Sequence, residues 1–295
     1  MPSHVPNFFI IGAPKCGTTS LSIYLDNHPD ILMSTPKEPH YFSDDIENGR
    51  VKTMQEYLDC FVSEKKSYKA IGEASTLYLY SQVAIKNIIK FNPNAKFIVQ
   101  LRNPIEVVFS FHQLALKIFG ETEISFEKSW ELMQSRNNGK NIPSGCPDVK
   151  LLLYGEIAKF GSQVEKLQSL VNDENIHFVF FDEFATNTND VFENVLSFLN
   201  IKKTPGVSFE IHNKTRRIKY PFITKLTNVA LAWKKAVGIK SEFGLANKIH
   251  AKNITNDSPA KLNSETVKML VGYFNNDIKK LSDLLNRDFS KWSLK

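Results

Sequence analysis

An apolar run close to the start of the sequence leads into a glycine-containing turn and then into a helical pattern. Phe8 to Ile11 are all apolar, as in a buried parallel strand, and the turn reads Gly12-Ala13-Pro14-Lys15-Cys16-Gly17-Thr18-Thr19-Ser20. Apolar side chains then recur at helical spacing until Pro29, where we expect the helix to end. A strand, a tight turn and a helix in this order favour an α/β chain whose turn lies at a helix N-terminus.

Such a turn is suited to bind an anion, because the first N–H groups of a helix lack intrahelical partners and the helix dipole is positive there. Lys15 and the hydroxyls of Thr18, Thr19 and Ser20 would add donors. In the loop that binds nucleoside triphosphates, the lysine directly precedes the hydroxyl residue that binds magnesium. Here Lys15 precedes Gly17, so we expect a phosphate or sulfate group bound without a metal ion. The alternative is a glycine turn with no binding function.

A second motif places an arginine after an apolar strand and a serine eight residues later. The segment Lys96-Phe97-Ile98-Val99-Gln100-Leu101-Arg102-Asn103-Pro104 ends in a turn, and Ser110 follows it. Asn103 and Pro104 can start a helix whose second turn brings Ser110 back toward Arg102. A guanidinium fork and a hydroxyl together suit the oxygens of a phosphate group.

The two motifs, in this order, resemble the 5′-phosphosulfate-binding loop and the 3′-phosphate motif of P-loop-like sulfotransferases. These enzymes use 3′-phosphoadenosine 5′-phosphosulfate (PAPS) and release the bisphosphate PAP. The resemblance implies a catalytic role for Lys15, which would stabilise charge on the bridging and 5′-phosphate oxygens. It also implies that the donor is bound by Lys15, Cys16, Gly17, Thr18, Thr19, Ser20, Arg102, Ser110, Phe181, Arg216 and Arg217.

A third segment, Pro36-Lys37-Glu38-Pro39-His40-Tyr41-Phe42, resembles the stretch that carries the catalytic base in heparan-type and many bacterial members. Glu38 matches the glutamate of that stretch, and a carboxylate near the acceptor hydroxyl is the expected general base. His40 is the rival base. The alternative is that Lys37 and Glu38 form a solvated pair beside a proline turn and that His40 is a packed aromatic.

A fourth segment, Gly72-Glu73-Ala74-Ser75-Thr76-Leu77-Tyr78, resembles a family stretch in which the glutamate is often followed by lysine. Ala74 occupies that position here, so the role of the lysine would pass to Lys37 or another cation. We expect Lys37 and Ser75 to contact the acceptor. Core packing is the favoured interpretation for Tyr78.

Strand-like runs alternate with helix-length segments along the sequence, which predicts a central parallel sheet with helices on both faces. The runs are Phe8 to Ile11, Ala70 to Gly72, Phe97 to Leu101 and Ile176 to Phe181. Ligands bind at the carboxyl ends of such strands. With no linker or repeat, we expect a single domain over residues 1–295, with variable acceptor-side regions at about 120–150, read as a long loop, and 212–262. The stretch from Tyr273 to Trp292 resembles the closing helix of the family.

The net charge of the 295 residues is +6, but residues 212–252 alone hold ten lysines and arginines against one acidic residue. A local positive field attracts anions such as the donor phosphates or an acidic saccharide. The favoured interpretation gives Arg216 or Arg217 to the donor and the other cations to an acceptor cleft; the alternative is a solvated face. Three dispersed cysteines argue against a disulfide framework or a metal cluster.

The sequence therefore predicts a sulfotransferase that moves a sulfuryl group from PAPS to an acceptor hydroxyl, of a carbohydrate or another small molecule, by in-line displacement without metal. We expect no nucleic-acid partner and, because neither a signal peptide nor a membrane-spanning run is evident, a cytoplasmic protein. By resemblance a bacterial source is favoured. Two alternatives remain: a P-loop nucleoside or nucleotide kinase, which would need magnesium and ATP, and a non-catalytic module that binds anionic polymers.

Overall fold

Five parallel strands form the central sheet. The computed structural model describes residues 4–48, 51–65, 67–203, 209, 217–218, 254–255 and 262–293. The strands of the sheet are β1 (Phe8–Gly12), β2 (Ile31–Met33), β3 (Ala70–Ala74), β4 (Lys96–Leu101) and β5 (Ile176–Phe180), and they lie in the order β2-β3-β1-β4-β5. All four predicted strands are present, whereas β2 was missed because it has only three residues. A separate antiparallel pair consists of β6 (Arg217–Ile218) and β7 (Ile254–Thr255).

Helices lie on both faces of the sheet, as predicted. They are α1 (Thr18–Asp26), α2 (Met54–Asp59), α3 (Ala84–Phe91), α4 (Pro104–Ile118), α5 (Phe126–Glu131), α6 (Met133–Asn137), α7 (Tyr154–Ile157), α8 (Phe160–Gln168), α9 (Phe181–Thr186), α10 (Thr188–Phe198) and α11 (Ser264–Leu285). Short 3₁₀ segments occupy Val149–Leu152, Asp173–Asn175 and Ser290–Ser293.

The side chains of β1 alternate between two hydrophobic clusters, one on each face of the sheet. Phe8 and Ile10 pack with residues of α1, α9 and α10. Phe9 and Ile11 belong to the larger cluster, which includes residues of α3, α4, α8 and α11. All four of these β1 side chains are fully buried, which places β1 in the middle of the fold and its carboxyl end at the centre of one edge.

The closing helix α11 covers the sheet through Leu270, Phe274 and Leu281, which are buried in the larger cluster. It also caps α8: the carboxylate of Asp277 accepts the backbone N–H of Gly161 at 2.7 Å and of Ser162 at 2.9 Å. A carboxylate at this position satisfies free N–H groups and complements the helix dipole. The C-terminal part of the chain is therefore integral to the fold.

The expectation of a long loop at 120–150 is wrong, because α5 and α6 lie within this region. A buried ion pair organises it: Arg136 donates to Glu121 at 2.6 and 2.9 Å, and both side chains are essentially inaccessible to solvent. Tyr154, from α7, also donates to Glu121. The hydrogen bonds and the charge of Arg136 outweigh burial and hold the pKa of Glu121 at about 2. Whether the region serves the acceptor stays a prediction.

All five strands of the sheet end at one edge. The glycine turn follows β1, the Lys37-Glu38 segment follows β2, Ser75 follows β3, Arg102 follows β4 and Phe181 follows β5. The residues of the sequence motifs are thus collected at the edge where α/β sheets bind ligands.

Candidate functional site

The turn after β1 is fixed to β4 by backbone and side-chain hydrogen bonds. Ala13 N–H donates to the carbonyl of Gln100 at 2.7 Å, and the Gln100 side chain lies 3.5 Å from the carbonyl of Cys16. Gly17 starts α1 in the left-handed conformation, with φ 92°, and within the described residues no side chain caps this helix start. The first N–H groups of α1 therefore remain available for an anion.

Arg102 lies against this turn. Its Nη1 is 3.4 Å from the carbonyl oxygen of Lys15, and its other edge pairs with Glu106, with Nη2 at 2.7 Å and Nε at 2.8 Å from Oε2. The guanidinium stacks on the ring of Phe181, 4.2 Å from the ring centroid. A Cβ at Gly17 would lie 3.2 Å from the same ring. The two predicted phosphate motifs thus border a single site.

Lys15 is half-buried in a strongly positive environment. Burial, followed by the charges of Lys117 and Arg102, lowers the pKa of Lys15, whereas the charge of Glu38 acts in the opposite direction. A bound phosphate or sulfate would relieve this repulsion between cations. Lys117 was missed by the sequence analysis, although it lies seven residues after Ser110 on α4 and hence on the same helix face.

Cys16 contributes its small side chain and its backbone to the turn. Its thiol is fully buried, and burial raises its pKa to about 12. Among the hydroxyl residues, Thr18 is buried, whereas Thr19 and Ser20 are half-buried at the surface of the turn. The thiol of Cys16 thus packs inside the turn, and its raised pKa disfavours a thiolate there.

Glu38 lies between two basic side chains. Lys37 Nζ contacts Oε1, and His40 Nε2 lies 3.4 Å from Oε2. Burial acts to raise the pKa of Glu38, but the hydrogen bond from His40 and the charge of Lys37 outweigh it and hold the pKa at about 2. Both members of the Lys37–Glu38 pair are only partly exposed, at 24% and 32%, so they do not form the solvated pair considered as an alternative.

Strained backbone coincides with the predicted catalytic residues. Within the described residues, six non-glycine residues have positive φ, and three of them are asparagines, which tolerate this conformation. The other three are Lys15, Glu38 and His40, at φ values of 65°, 62° and 54°. Residues held in such conformations cluster at functional sites, where the surrounding structure maintains them. This geometry is an independent reason to place chemistry at these three positions.

The model of the sulfotransferase domain family matches residues 5–220. The chain belongs to the sulfotransferase family. In overall structure it is similar to a crystal structure of a sulfotransferase from Alicyclobacillus acidocaldarius, with a TM-score of 0.70 over 98% of both chains and 24% identity. That likeness confirms the predicted fold.

Two curated relatives match shorter segments. Membrane-associated sulfotransferase kil1 of Dictyostelium discoideum is 33% identical over 113 residues, which cover 38% of this chain and 24% of the relative. Human carbohydrate sulfotransferase 15 is 32% identical over 148 residues, which cover 36% of this chain and 26% of the relative. The matched segments thus span about a quarter of each of these two relatives.

Not every predicted site residue has the expected place in the structure. Ser75 is fully buried. Its hydroxyl donates to Glu73 and accepts the backbone N–H of His40, so it holds the backbone of the site from the interior. This corrects its predicted contact with the acceptor. Phe181 is the first residue of α9 and not the last of a strand, and its ring already stacks on Arg102.

The remaining predicted donor contacts are only partly described. Ser110 lies on α4 with a largely buried side chain. Arg217 is on β6, whereas Arg216 and most of the basic segment 212–252 lie outside the described residues. In the described ranges, no group of His, Cys, Asp and Glu is arranged to hold a metal ion. Over the same ranges, no helix has the length and hydropathy needed to cross a bilayer.

Proposed function

We propose that this sulfotransferase transfers the sulfuryl group of PAPS to a hydroxyl of a carbohydrate acceptor. The observation that carries the proposal is the contact between Arg102 and the turn after β1, with Nη1 at 3.4 Å from the Lys15 carbonyl. One ligand with phosphate groups at two positions can therefore contact both motifs at once. PAPS has this chemistry, with a 5′-phosphosulfate and a 3′-phosphate on one adenosine.

In the proposed reaction, the acceptor oxygen attacks sulfur in line with the departing 5′-phosphate oxygen. An O–S bond to the acceptor forms, the S–O bond to the phosphate breaks, and PAP leaves with the bonding electrons. Lys15 and the N–H groups at the start of α1 stabilise the negative charge that grows on the bridging oxygen. Arg102, with Ser110, holds the remote 3′-phosphate and thereby fixes the sulfur atom in position.

Glu38 accepts the proton of the acceptor hydroxyl. With a pKa of about 2 it is ionised at neutral pH, as a general base must be. A carboxylate stabilised by the Lys37 ammonium and by a hydrogen bond from His40 is nevertheless a weak base. Proton transfer becomes more favourable if the acceptor displaces the Lys37 ammonium, which is then free to interact with the acceptor instead.

A carbohydrate acceptor is proposed because relatives that match the chain include a carbohydrate sulfotransferase and bifunctional heparan sulfate N-deacetylase/N-sulfotransferases. Bifunctional heparan sulfate N-deacetylase/N-sulfotransferase 4 of Mus musculus is 31% identical over 113 residues. That match covers 37% of this chain and 13% of the mouse enzyme, so the acceptor has to be found by assay.

Calorimetry with PAP and with ATP, each with and without magnesium, tests the donor. We expect PAP to bind without magnesium and ATP to bind weakly, whereas magnesium-dependent ATP binding without PAP binding would indicate a kinase. A transfer assay with ³⁵S-labelled PAPS and a panel of neutral and acidic oligosaccharides then tests the acceptor. Labelled polymer binding that is indifferent to PAP would instead support a non-catalytic module.

Variants assign the roles. Glu38→Gln should lower kcat by roughly 10²- to 10⁴-fold with PAP affinity retained. Glu47→Gln is the matched control, because this glutamate is 64% exposed and pairs with Lys52. Lys15→Ala should mainly lower kcat and Arg102→Ala mainly weaken PAP binding. Equal loss of kcat in both variants with unchanged PAP affinity would contradict this division of roles.

A further inference from the structure

Glu73, the fourth residue of β3, is a fully buried carboxylate that has no role in the proposed chemistry. Three hydroxyl groups surround it. Tyr57 donates to Oε1 at 2.8 Å, Tyr78 donates to the same oxygen at 3.0 Å, and Ser75 donates to Oε2. An ionised carboxylate can only accept hydrogen bonds, so it directs the protons of all three hydroxyls toward itself.

Two of these hydroxyl oxygens also accept backbone N–H groups from the segment 36–43, which we call the base segment because it carries Glu38. The N–H of His40 donates to Ser75 Oγ at 3.0 Å, and the N–H of Phe42 donates to the Tyr78 oxygen at 3.2 Å. The hydroxyls of Ser75 and Tyr78 therefore link the base segment to Glu73, because each accepts a backbone N–H and donates to the carboxylate. The negative charge of Glu73 therefore determines that both hydroxyls accept, and do not donate, in their bonds to the base segment.

We infer that Glu73 is a positioning residue that holds the base segment, and with it Glu38, in place through Ser75 and Tyr78. The inference deepens the proposed function, because it takes Glu38 as the base. Glu38 and His40 both have left-handed backbone conformations, which persist only where the surroundings maintain them. The two relayed hydrogen bonds attach this strained segment to the end of β3.

A neutral group at position 73 would disturb the relay. A protonated carboxyl or an amide donates a hydrogen of its own, and a hydroxyl that accepts it turns its proton elsewhere. The redirected hydroxyl proton of Ser75 would then point toward the N–H of His40, and that of Tyr78 toward the N–H of Phe42. Two hydrogens facing each other in this way would break the hydrogen bond. Because all of these groups are buried, water cannot readily replace the lost hydrogen bonds.

The ionisation of Glu73 occurs in a different pH range from that of Glu38. Burial raises the pKa of Glu73 to about 7, although the three hydroxyls and the charge of Lys37 act to lower it. The titratable groups that interact with it are Tyr57 and Cys60 at α2, Tyr78 after β3 and Lys37 in the base segment. The base segment should therefore be held firmly above about pH 7 and more loosely below it.

Two tyrosines provide a matched pair of variants. Tyr57 and Tyr78 are both buried and both donate to Glu73. Within the described residues the Tyr57 hydroxyl bonds to Glu73, whereas the Tyr78 hydroxyl also accepts the N–H of Phe42. Tyr78→Phe removes the hydrogen bond to the base segment. Tyr57→Phe removes a similar hydrogen bond to Glu73 and keeps the ring, which packs against Tyr41 and Phe42 of that segment. A purely structural role of the cluster predicts equal effects.

Hydrogen exchange of the amides of His40 and Phe42 is the first readout, and it is independent of activity. We expect Glu73→Gln and Tyr78→Phe to accelerate exchange by about tenfold or more, and Tyr57→Phe by much less, with PAP affinity unchanged in each. In the wild type, exchange corrected for its intrinsic pH dependence should also increase as the pH falls through about 7. Equal acceleration in the two tyrosine variants, or unchanged exchange in Glu73→Gln, would overturn the inference.

Transfer kinetics give the second readout. Glu73→Gln and Tyr78→Phe should lower kcat by about tenfold with little change in the KM for PAPS, and Glu73→Gln should lose the wild-type decrease in kcat below about pH 7. A wild-type pH profile retained in Glu73→Gln would refute the assignment. If Glu73→Gln does not fold, the comparison of Tyr78→Phe with Tyr57→Phe tests the positioning role. If no acceptor is ever labelled, the proposed activity fails, while the exchange data still test the positioning role.

Discussion

Gly17→Ala is the change that most directly tests how the turn and Arg102 share one site. The new Cβ would lie 3.2 and 3.3 Å from two carbons of the Phe181 ring, which supports the Arg102 guanidinium. The ring must shift by a few tenths of an ångström, and the left-handed backbone at φ 92° costs a non-glycine residue about 1–2 kcal/mol. Both effects disturb the start of α1.

The expected loss of PAP affinity follows from the hydrogen bonds at stake. One N–H group turned out of line with a phosphate oxygen costs the energy of a hydrogen bond to a charged group, about 1.5–3 kcal/mol. That corresponds to an increase in Kd of roughly 10- to 100-fold. Isothermal titration calorimetry measures Kd, and thermal unfolding measures the separate loss of stability, at about 2–4 °C per kcal/mol.

Gly139→Ala is the matched control. Gly139 has a similar positive φ of 76°, but a Cβ there meets no heavy atom within 4 Å. It should therefore lose a comparable amount of stability and retain full PAP affinity. The reasoning is refuted if Gly17→Ala binds PAP as tightly as the wild type, or if Gly139→Ala weakens PAP binding to the same extent.

Three further outcomes are expected. Lys37→Met removes a cation that lowers the pKa of Glu38, so this pKa should rise from about 2 toward 4.5, and the ratio of variant to wild-type rate should fall between about pH 5 and 4. An unchanged ratio over this range would mean that Glu38 is not the base. Glu121→Gln leaves the buried Arg136 without its counterion, and urea denaturation should show a loss of about 3–5 kcal/mol with PAP affinity intact. Cys16 should resist iodoacetamide at about pH 7.5 in the folded protein and react once urea unfolds it, as mass spectrometry of its peptide would show.

The parts of the fold that were predictable are those encoded by local pattern. Four apolar runs corresponded to strands, and the glycine turn and Arg102 fell at the carboxyl ends where parallel strands bring ligand-binding residues together. The three-residue strand β2 has too little pattern to be recognised, and its pairing with β3 depends on contacts distant in sequence.

The missed parts of the site depend on tertiary contacts. Nothing local shows that Glu121 and Arg136 meet in the interior, so a region rich in turn residues was read as loop. Ser75 was assigned to the acceptor because it lies in a motif, but the side chain points into the interior, toward Glu73. Burial and hydrogen-bond direction, which decide such roles, become visible only when the chain is folded.

The way Arg102 is held has a consequence for how a nucleotide would associate. Its guanidinium is already oriented by Glu106, by the Lys15 carbonyl and by the Phe181 ring, so little side-chain freedom remains to be lost when a ligand arrives. Arg102 contacts the turn proposed for the 5′ group and is itself proposed to bind the 3′-phosphate. A group bound at one of these two halves of the site therefore changes the affinity of the other half. A bisphosphate should thus bind more tightly than the separate affinities of a 3′-monophosphate and a 5′-monophosphate would suggest, and selectivity for doubly phosphorylated nucleotides follows from cooperativity between the halves.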